Sequence, residues 1–406
     1  MPAELWTFKA ADNKWHHPDG RTIDAGTAPP PPPPGPLFAG HLPFQVQIGM
    51  NAPEDTGNPT APPRPQYTEA VALLGGDVGT VRRVYDFGNW ISNSVLNGMV
   101  AEADADGVMP IGSLKVPGER WDQVIAGAFD ADLTTLRNWA IARRTAGKGP
   151  VLMTIHHEPN NNGPWSASRP PTNGGTDYNL ENMRTWGKME LYALNFMTGW
   201  ASRGISNTGG TYNAAEDVRD IMPWHCIANG FWWGTKFPHD DLIAAAYTPT
   251  LIAAFNDRGG PLAADVYDPT NATYQRDANG DRIESSITFA SNYDSCWREI
   301  QKMCAWARAN NVKVIGFGEM GNVLTANYNN TIDQLMANRD IIAFACIFNN
   351  MAASKWDWVH KPADYPAYNG TNSNGLTDFG GDQLSQNYID RFKVLLARSY
   401  AETAPF

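Results

Sequence analysis

From about residue 40 onward, the chain alternates short apolar runs with longer stretches of mixed polarity. The apolar runs predict eight strands, at 44–50, 80–87, 107–114, 151–157, 222–229, 262–267, 312–319 and 341–348. The stretches of mixed polarity predict helices at 67–74, 90–101, 131–144, 181–202, 240–256, 291–309, 331–337 and 383–402. Strands and helices in this alternation predict an α/β protein, a (β/α)8 TIM barrel.

The first 28 residues follow a different pattern and predict a small N-terminal β arm. Two short strands flank a turn at Asp12 and Asn13. Residues 29–39 begin with an unbroken proline run, Pro29 to Pro34, which favours a semi-rigid polyproline II spacer. The predicted organisation is an arm at 1–28, a proline-rich linker at 29–39 and a barrel domain at 40–406.

The loops that leave the predicted strands are long, whereas the loops that enter them are short. Segment 145–149 enters the fourth strand, whereas residues 159–179 follow it. The sixth and eighth strands are also followed by long segments rich in Asp, Asn, Thr and aromatic residues. Active sites of such barrels are built from the loops that follow the strands. The elaborated end is therefore where a functional site is expected.

Two glutamates stand where an apolar strand meets such a loop. Glu158 ends the fourth predicted strand in VLMTIHHEPN, and Glu319 ends the seventh in VKVIGFGE. One such residue alone is usually a solvated boundary residue, but two at the same end of a closed barrel can meet over its mouth. Paired carboxyl groups about 5–5.5 Å apart cleave glycosidic bonds with retention, one as acid/base and the other as nucleophile. We expect Glu158 to be the acid/base and Glu319 the nucleophile.

The Glu-Pro after the fourth strand and the second Glu at the end of the seventh resemble clan A glycoside hydrolases. The preceding His157, in place of the clan's usual Asn, is most similar to family 26, the β-mannanase type. The resemblance implies a retaining, endo-acting hydrolase of polysaccharides without a cofactor. The family commonly has Met after this Glu, whereas Pro159 stands here, which leaves the glycan open.

The resemblance also implies roles for residues around the two glutamates. His157 matches a residue that hydrogen-bonds at the cleavage subsite, and Tyr267 resembles a tyrosine that orients the nucleophile. Trp232 and Trp233 resemble aromatic subsite walls. An arginine on the second strand often keeps the nucleophile ionised; Arg83 is preferred over Arg82, although the register is open and surface exposure is the alternative.

Three other positions have two interpretations each. Asn229, at the end of the fifth strand, either binds a sugar hydroxyl or caps the turn. Trp165, in the loop after the fourth strand, is either a subsite platform or a loop anchor. Segment 277–284 has carboxylate and amide side chains at alternate positions, as calcium loops do, but its Gly280 is misplaced for an EF-hand and Asn-Gly favours a β-hairpin.

A metal centre is not expected from the two adjacent histidines. Consecutive residues of a strand point to opposite faces, so His156 and His157 should not bind one ion. The sequence HEPNN also departs from the helical His-Glu-x-x-His zinc motif. His156 is instead expected to be a structural hydrogen-bonding residue.

Charge and composition exclude several classes of partner. A formal net charge of −11 opposes binding to nucleic acid or to an anionic membrane. No apolar segment is long enough to cross a bilayer, and the N-terminus does not resemble a Sec signal, which predicts synthesis in the cytoplasm. The four cysteines are expected to be reduced and buried.

The arm and proline spacer resemble those of tail-associated proteins of phages that infect actinobacteria. That resemblance implies contacts of the arm with other virion tail proteins and action on the host envelope. The alternative function is a non-catalytic carbohydrate-binding or adhesion module on a barrel scaffold. A barrel metallohydrolase is a third hypothesis, which would require loss of activity on chelation.

Overall fold

The computed structural model of the 406-residue chain describes part of the sequence, and all structural statements below refer to that part. The described residues are 7–9, 14–16, 22–24, 47–51, 80–86, 91–106, 109–116, 120–159, 180–200, 212–234, 239–268, 275, 278, 283–286, 288, 294–321 and 325–348. The predicted helices at 67–74 and 383–402 lie outside them.

Thirteen strands are found within the described residues. They are β1 (Thr7–Lys9), β2 (Lys14–His16), β3 (Thr22–Asp24), β4 (Gln47–Asn51), β5 (Thr80–Asp86), β6 (Met109–Lys115), β7 (Leu152–Ile155), β8 (Thr198–Trp200), β9 (Tyr212–Asp217), β10 (Cys226–Asn229), β11 (Leu262–Tyr267), β12 (Ile315–Gly321) and β13 (Ile342–Phe348). All eight predicted barrel strands are confirmed, as β4 to β7 and β10 to β13.

The same part of the chain contains eight α-helices. They are α1 (Asn93–Asp106), α2 (Trp121–Ile125), α3 (Asp130–Thr145), α4 (Leu180–Met197), α5 (Asp240–Ala246), α6 (Pro249–Arg258), α7 (Cys296–Ala309) and α8 (Thr325–Ala337). Short 3-10 helices occupy Gly230–Trp233 and Glu284–Ser286. None of these helices is both long and apolar enough to traverse a lipid bilayer.

Local chemistry explains where several helices begin. The single helix predicted at 240–256 is two helices, because Pro249 starts α6 and Thr248 caps it by accepting the Leu251 N–H at 3.3 Å. The first turn of α3 carries Asp130 and its last turn carries arginines, an arrangement that complements the helix dipole.

The main sheet contains the eight confirmed strands in the order β10-β11-β12-β13-β4-β5-β6-β7, and every neighbouring pair in it is parallel. Strands β7 and β10 form the two ends of this order. Backbone hydrogen bonds join the segments around these two strands: Val151 N donates to Ile221 O at 2.8 Å, and Glu158 N donates to Ile227 O at 3.0 Å. A parallel bridge pairs Met153 with Trp224. The described strands and helices therefore form an α/β fold that is built on one parallel sheet.

Two smaller sheets accompany the main one among the described residues. The N-terminal arm has the predicted antiparallel pair, with Phe8 opposite Trp15, and β3 adds an unpredicted third strand. The predicted helix at 181–202 ends at Met197, where the chain enters the antiparallel pair of β8 and β9.

The main sheet separates two apolar clusters. A small cluster on one face includes Ile111, Leu152, Ile227, Ala263 and Phe344. A large cluster, in which the apolar sides of α1 to α8 take part, covers the opposite face. We call the face of the small cluster the inner face. Buried parallel strands are apolar on both faces, which explains why their runs read as continuous in the sequence.

The four cysteines are free and buried, as predicted. Cys226 lies in β10 and Cys346 in β13, whereas Cys296 and Cys304 lie on α7.

One carboxyl group is buried in the large cluster. Glu190 on α4 is 0% exposed and accepts the Trp224 indole N–H at 2.9 Å through Oε2. Its Oε1 has no hydrogen-bond partner within the described structure. Burial raises the pKa of Glu190 well above its usual value, so folding favours the neutral form of the side chain.

Replacing Glu190 by Gln should therefore remove a pH-dependent loss of stability. A raised folded-state pKa favours folding below the unfolded pKa of about 4.3, and this advantage is lost as pH rises toward the folded value. Relative to wild type, the free energy of unfolding of Glu190→Gln should increase above pH 4.5 by up to about 1.4 kcal/mol per pH unit. Urea unfolding at pH 4, 6 and 8 measures this change, and parallel pH profiles of the two proteins would contradict it.

Candidate active site

The candidate site is formed where β7, β11 and β12 end on the inner face. Glu158 follows β7, Asp265 and Tyr267 lie at the end of β11, and Glu319 lies near the end of β12. Their side chains are buried or half-buried. Four chemically active side chains therefore meet at the carboxyl ends of parallel strands, the usual position of sites in α/β proteins.

A β-bulge determines where Glu319 points. Ala264 is paired with Phe317, but Asp265 is paired with Glu319, so β12 has one extra residue between these pairs. Phe317 and Met320 consequently both belong to the large outer cluster although they are three positions apart. Since side chains alternate with a period of two, the extra residue moves Glu319 to the inner face beside Asp265.

The end of β7 is shaped by unusual backbone angles. His156 has φ of 52° and Glu158 has φ of 51°, in the left-handed region that non-glycine residues adopt rarely and at some cost. Strand β7 therefore ends at Ile155, two residues earlier than predicted. Because regular alternation is lost here, the side chains of the consecutive residues His157 and Glu158 both lie on the inner face, close to Asp265.

The two histidines lie in different environments, as predicted, although both follow the end of β7. His157 Nδ1 is 2.5 Å from Ser113 Oγ of β6. His156 packs edge-on against Trp121, with 4.9 Å between ring centroids. Burial, and next the charge of Lys115, lowers the pKa of His156 to about 3, so its ring is neutral.

The expected hydrogen-bonding role of His156 is not found. Neither ring nitrogen has a hydrogen-bond partner in the described structure, and only its backbone carbonyl accepts, from the Trp186 indole N–H at 2.9 Å. Its ring is a neutral packing group on the outer side of the sheet.

Tyr267 connects the carboxyl groups of the site. Its hydroxyl donates a hydrogen bond to Glu319 Oε2, the contact expected from the resemblance. Burial raises the pKa of the Tyr267 hydroxyl well above its usual value, and the charges of Glu319, Asp265 and Glu158 raise it further. Tyr267 therefore remains protonated and continues to donate to Glu319 at any physiological pH.

Asp265 is a member of the site that the sequence interpretation missed. It is 1% exposed, and its carboxylate lies within 4.8 Å of ligand atoms of both His157 and Glu158. The available signal was its position two residues before Tyr267 in a strand of period two, which places both on one face. This trio offers one nitrogen and two carboxylates, a set that can hold a divalent cation.

The two tryptophans proposed as subsite walls are buried instead. Trp232 is 0% exposed and Trp233 is 4% exposed, both on the 3-10 helix after β10. They pack against Tyr247, and Trp233 also packs against Trp306 of α7, with ring centroids 5.5 Å apart. Their indoles fill space between the sheet and its helices, so they present no platform to a ligand. The expectation that they wall a subsite is therefore wrong.

The remaining predicted positions are described in part or not at all. The backbone of Asn229 pairs with Asp265, but its side chain lies outside the described part. Trp165 also lies outside it. The backbone of Arg82 and Arg83 lies in β5, paired with Ile111 and Gly112 of β6, but their side chains lie outside the described part, so the choice between them stays a prediction.

The predicted hairpin at 277–284 is only partly described. Ile283 N donates to Gln275 O at 2.9 Å, so the chain approaches itself across this segment. A 3-10 helix, rather than a strand, follows at Glu284–Ser286. The candidate calcium ligands Asp277, Asn279 and Asp281 lie outside the described residues.

No family model matches this sequence, and no curated protein matches it at a significant level. Among solved structures, it is similar to the virulence factor SghA from Agrobacterium tumefaciens, with 11% identity and a TM-score of 0.45 over 89% of this chain and 98% of that one. A psychrophilic glycoside hydrolase family 10 endo-β-1,4-xylanase has 8% identity and a TM-score of 0.42, over 86% and 96%.

The exo-β-1,4-mannosidase Op5Man5 from Opitutaceae bacterium strain TAV5 has 13% identity and a TM-score of 0.35, over 98% of this chain and 64% of that one. Glycoside hydrolases are thus named among the similar structures. At these identities and TM-scores the similarities do not transfer an activity, and function must be inferred from the site itself.

Proposed function

We propose that this protein is a retaining glycoside hydrolase with Glu158 as acid/base and Glu319 as nucleophile. The observation that carries the proposal is the convergence of both glutamates on the end of β11. Glu319 accepts the Tyr267 hydroxyl and is paired in register with Asp265, and the Glu158 carboxylate lies within 4.8 Å of the Asp265 carboxylate. Two carboxyl groups from distant strand ends are what double displacement at an anomeric carbon requires.

A closed (β/α)8 barrel is part of this proposal, and the site supports it. Strands β11 and β7 are six positions apart in the sheet order. In a flat sheet this separation would be about 29 Å, given about 4.8 Å per strand. The Glu158 and Asp265 carboxylates are instead within 4.8 Å of each other. Together with the backbone bonds from Val151 and Glu158 to the chain at 221–227, this proximity favours closure of the sheet on itself.

The proposed reaction has two steps. In the first, Glu319 attacks the anomeric carbon while Glu158 gives its proton to the leaving oxygen, which forms a glycosyl ester on Glu319. The Tyr267 hydroxyl holds Glu319 in one orientation before attack. In the second step, Glu158 takes a proton from water, and the water oxygen displaces Glu319 from the sugar with a second inversion. The net result is retention of configuration.

A second candidate function is a metal-dependent hydrolase. It is favoured by the trio of His157, Glu158 and Asp265, whose ligand atoms lie within 4.8 Å of one another. His157 Nδ1 also contacts Ser113 Oγ, and hydrogen bonds that orient the imidazole ring are common for metal-binding histidines. A cation held there would occupy Glu158 and prevent it from acting as an acid.

One experiment tests the proposed function and separates it from the metal alternative. Mannan, galactan, arabinan and aryl β-glycosides are incubated with the protein, with and without EDTA, and the first product is followed by proton NMR. We expect hydrolysis with net retention and an unchanged rate in EDTA. Net inversion would contradict the double displacement, and loss of activity in EDTA, restored by Zn²⁺ or Mn²⁺, would favour the metal centre.

A further inference from the structure

A buried glutamate lies behind the candidate site and takes no part in the proposed reaction. Glu299 on α7 is 3% exposed, and its Oε2 accepts the backbone N–H of Tyr267 at 3.3 Å. Tyr267 is the last residue of β11, so this bond holds the strand end that carries the tyrosine. The same residue then holds Glu319 through its hydroxyl.

The surrounding contacts fix this carboxyl group in place. A Cβ added at Gly230 would lie 2.9 Å from Glu299 Oε2 and 2.6 Å from the Asp265 carbonyl oxygen. The space between the 3-10 helix and β11 is therefore only wide enough for a glycine at position 230. The Glu299 carboxyl group lies at the border of this space. A larger residue at 230 would have to displace backbone, since the Asp265 carbonyl belongs to the strand.

A second carboxylate joins α7 to β11 in the opposite direction. Asp268, directly after β11, accepts the backbone N–H of Cys296 at 3.0 Å, at the first residue of α7. Its other oxygen accepts the side-chain amide of Asn327 on α8 at 3.0 Å. Helix and strand are thus tied at two points, one at Asp268 and one at Glu299, and the tie at Glu299 is a hydrogen bond from Tyr267 itself.

The chemistry of Glu299 suits a structural acceptor. Burial raises the pKa of Glu299 well above its usual value; the hydrogen bond from Tyr267 N–H lowers it, and the charges of Asp268 and Asp294 raise it. A neutral carboxyl group can accept the Tyr267 N–H without placing a further negative charge behind the site.

We propose that Glu299 is a positioning residue that fixes the end of β11, so that the Tyr267 hydroxyl stays on Glu319. This inference rests on the proposed function for its catalytic consequence, but its structural part does not depend on it. The pair of contacts through Tyr267, backbone to Glu299 and hydroxyl to Glu319, links α7 to the candidate nucleophile.

Four variants test the inference. Glu299→Gln keeps an oxygen acceptor at the same length, whereas Glu299→Met removes the acceptor at similar volume. Glu299→Asp withdraws the acceptor by one methylene group and serves if the Met variant does not fold. Glu190→Met is the matched control, because it removes another buried glutamate acceptor, whose donor is the Trp224 indole rather than Tyr267.

The first measurement is amide hydrogen exchange of the peptide that spans 262–268, which needs no substrate. Exchange at Tyr267 should accelerate at least tenfold in Glu299→Met or Glu299→Asp, and remain near wild type in Glu299→Gln and Glu190→Met. Unchanged exchange in the Met and Asp variants would overturn the inference. If wild type hydrolyses no glycan, this arm still decides the role of Glu299, while the proposed function fails separately.

The second measurement is a double-mutant cycle with Tyr267→Phe on an aryl glycoside that wild type hydrolyses. Glu299→Met should lower kcat about tenfold to a hundredfold and change KM less than twofold. Glu299→Gln should have a kcat near that of wild type. On the Tyr267→Phe background the same change should lower kcat less than threefold, because the hydroxyl through which Glu299 acts is gone. An equal loss on both backgrounds would overturn the inference.

Discussion

Glu319→Gln is expected to lower kcat/KM on the order of 10⁴-fold on every glycoside that wild type hydrolyses, or about 5.5 kcal/mol of transition-state stabilisation. The amide keeps the size of the side chain and can still accept from Tyr267, but it cannot form the glycosyl ester. Initial rates on an aryl β-glycoside and on the best polysaccharide measure the loss.

The matched control is Glu181→Gln, the same chemical change at an exposed residue of α4 that pairs with Arg184 at the surface. It should retain wild-type kcat/KM, since exposed ion pairs contribute little to stability. This comparison also tests the non-catalytic alternative. Equal glycan binding by wild type and Glu319→Gln, with no turnover by either, would favour an adhesion module.

The loss of activity caused by Glu158→Ala is expected to depend strongly on the leaving group of the substrate. A general acid contributes about 10²–10⁴-fold, so hydrolysis of a polysaccharide should fall by that factor. A 2,4-dinitrophenyl glycoside needs no protonation of its leaving group, so its attack by Glu319 should be slowed less than tenfold. Burst-phase kinetics with this substrate separate the first step from the second.

Added azide provides the second test of Glu158. The anion needs no general base and fits the space that the removed carboxylate occupied, so it should restore turnover of the dinitrophenyl glycoside and yield a glycosyl azide of retained configuration. An equal loss of activity on good and poor leaving groups, without azide rescue, would contradict the acid/base role. Glu181→Ala, at the surface, is the control for nonspecific effects of removing a carboxylate.

The strands of the main sheet could be predicted because each reads as one apolar run, as expected for parallel strands that are buried on both faces. β12, with every position of Ile315–Gly321 buried, is an example. The placement of Glu158 and Glu319 at the ends of such runs was visible for the same reason. An ionisable residue at a buried strand end interrupts the apolar pattern.

The direction of the Glu319 side chain could not be predicted in this way. A strict period of two from Phe317, which faces the outer cluster, would also send Glu319 outward. The bulge opposite Ala264 and Asp265 reverses it, and a bulge is set by pairing with a neighbouring strand that is distant in the sequence. Likewise, the left-handed angles at His156 and Glu158, which end β7, are rare for non-glycine residues and have no local signal in the sequence.

Burial of the tryptophans was also decided in three dimensions. Trp232 and Trp233 follow a strand, which is the position at which subsite aromatics occur. An indole side chain suits a ligand platform and a hydrophobic core equally well. Only the packing of α5 and α7 around the 3-10 helix assigns them to the core.

By itself, the sequence determined which segments become strands and which carboxylates end them, because burial on both faces leaves a local and continuous apolar signal. Tertiary structure decided that Asp265 joins those carboxylates, that the Tyr267 hydroxyl bonds to Glu319, and that Glu299 supports β11 from behind. Such relations depend on register and on contacts between segments far apart in the chain, and no local pattern encodes them.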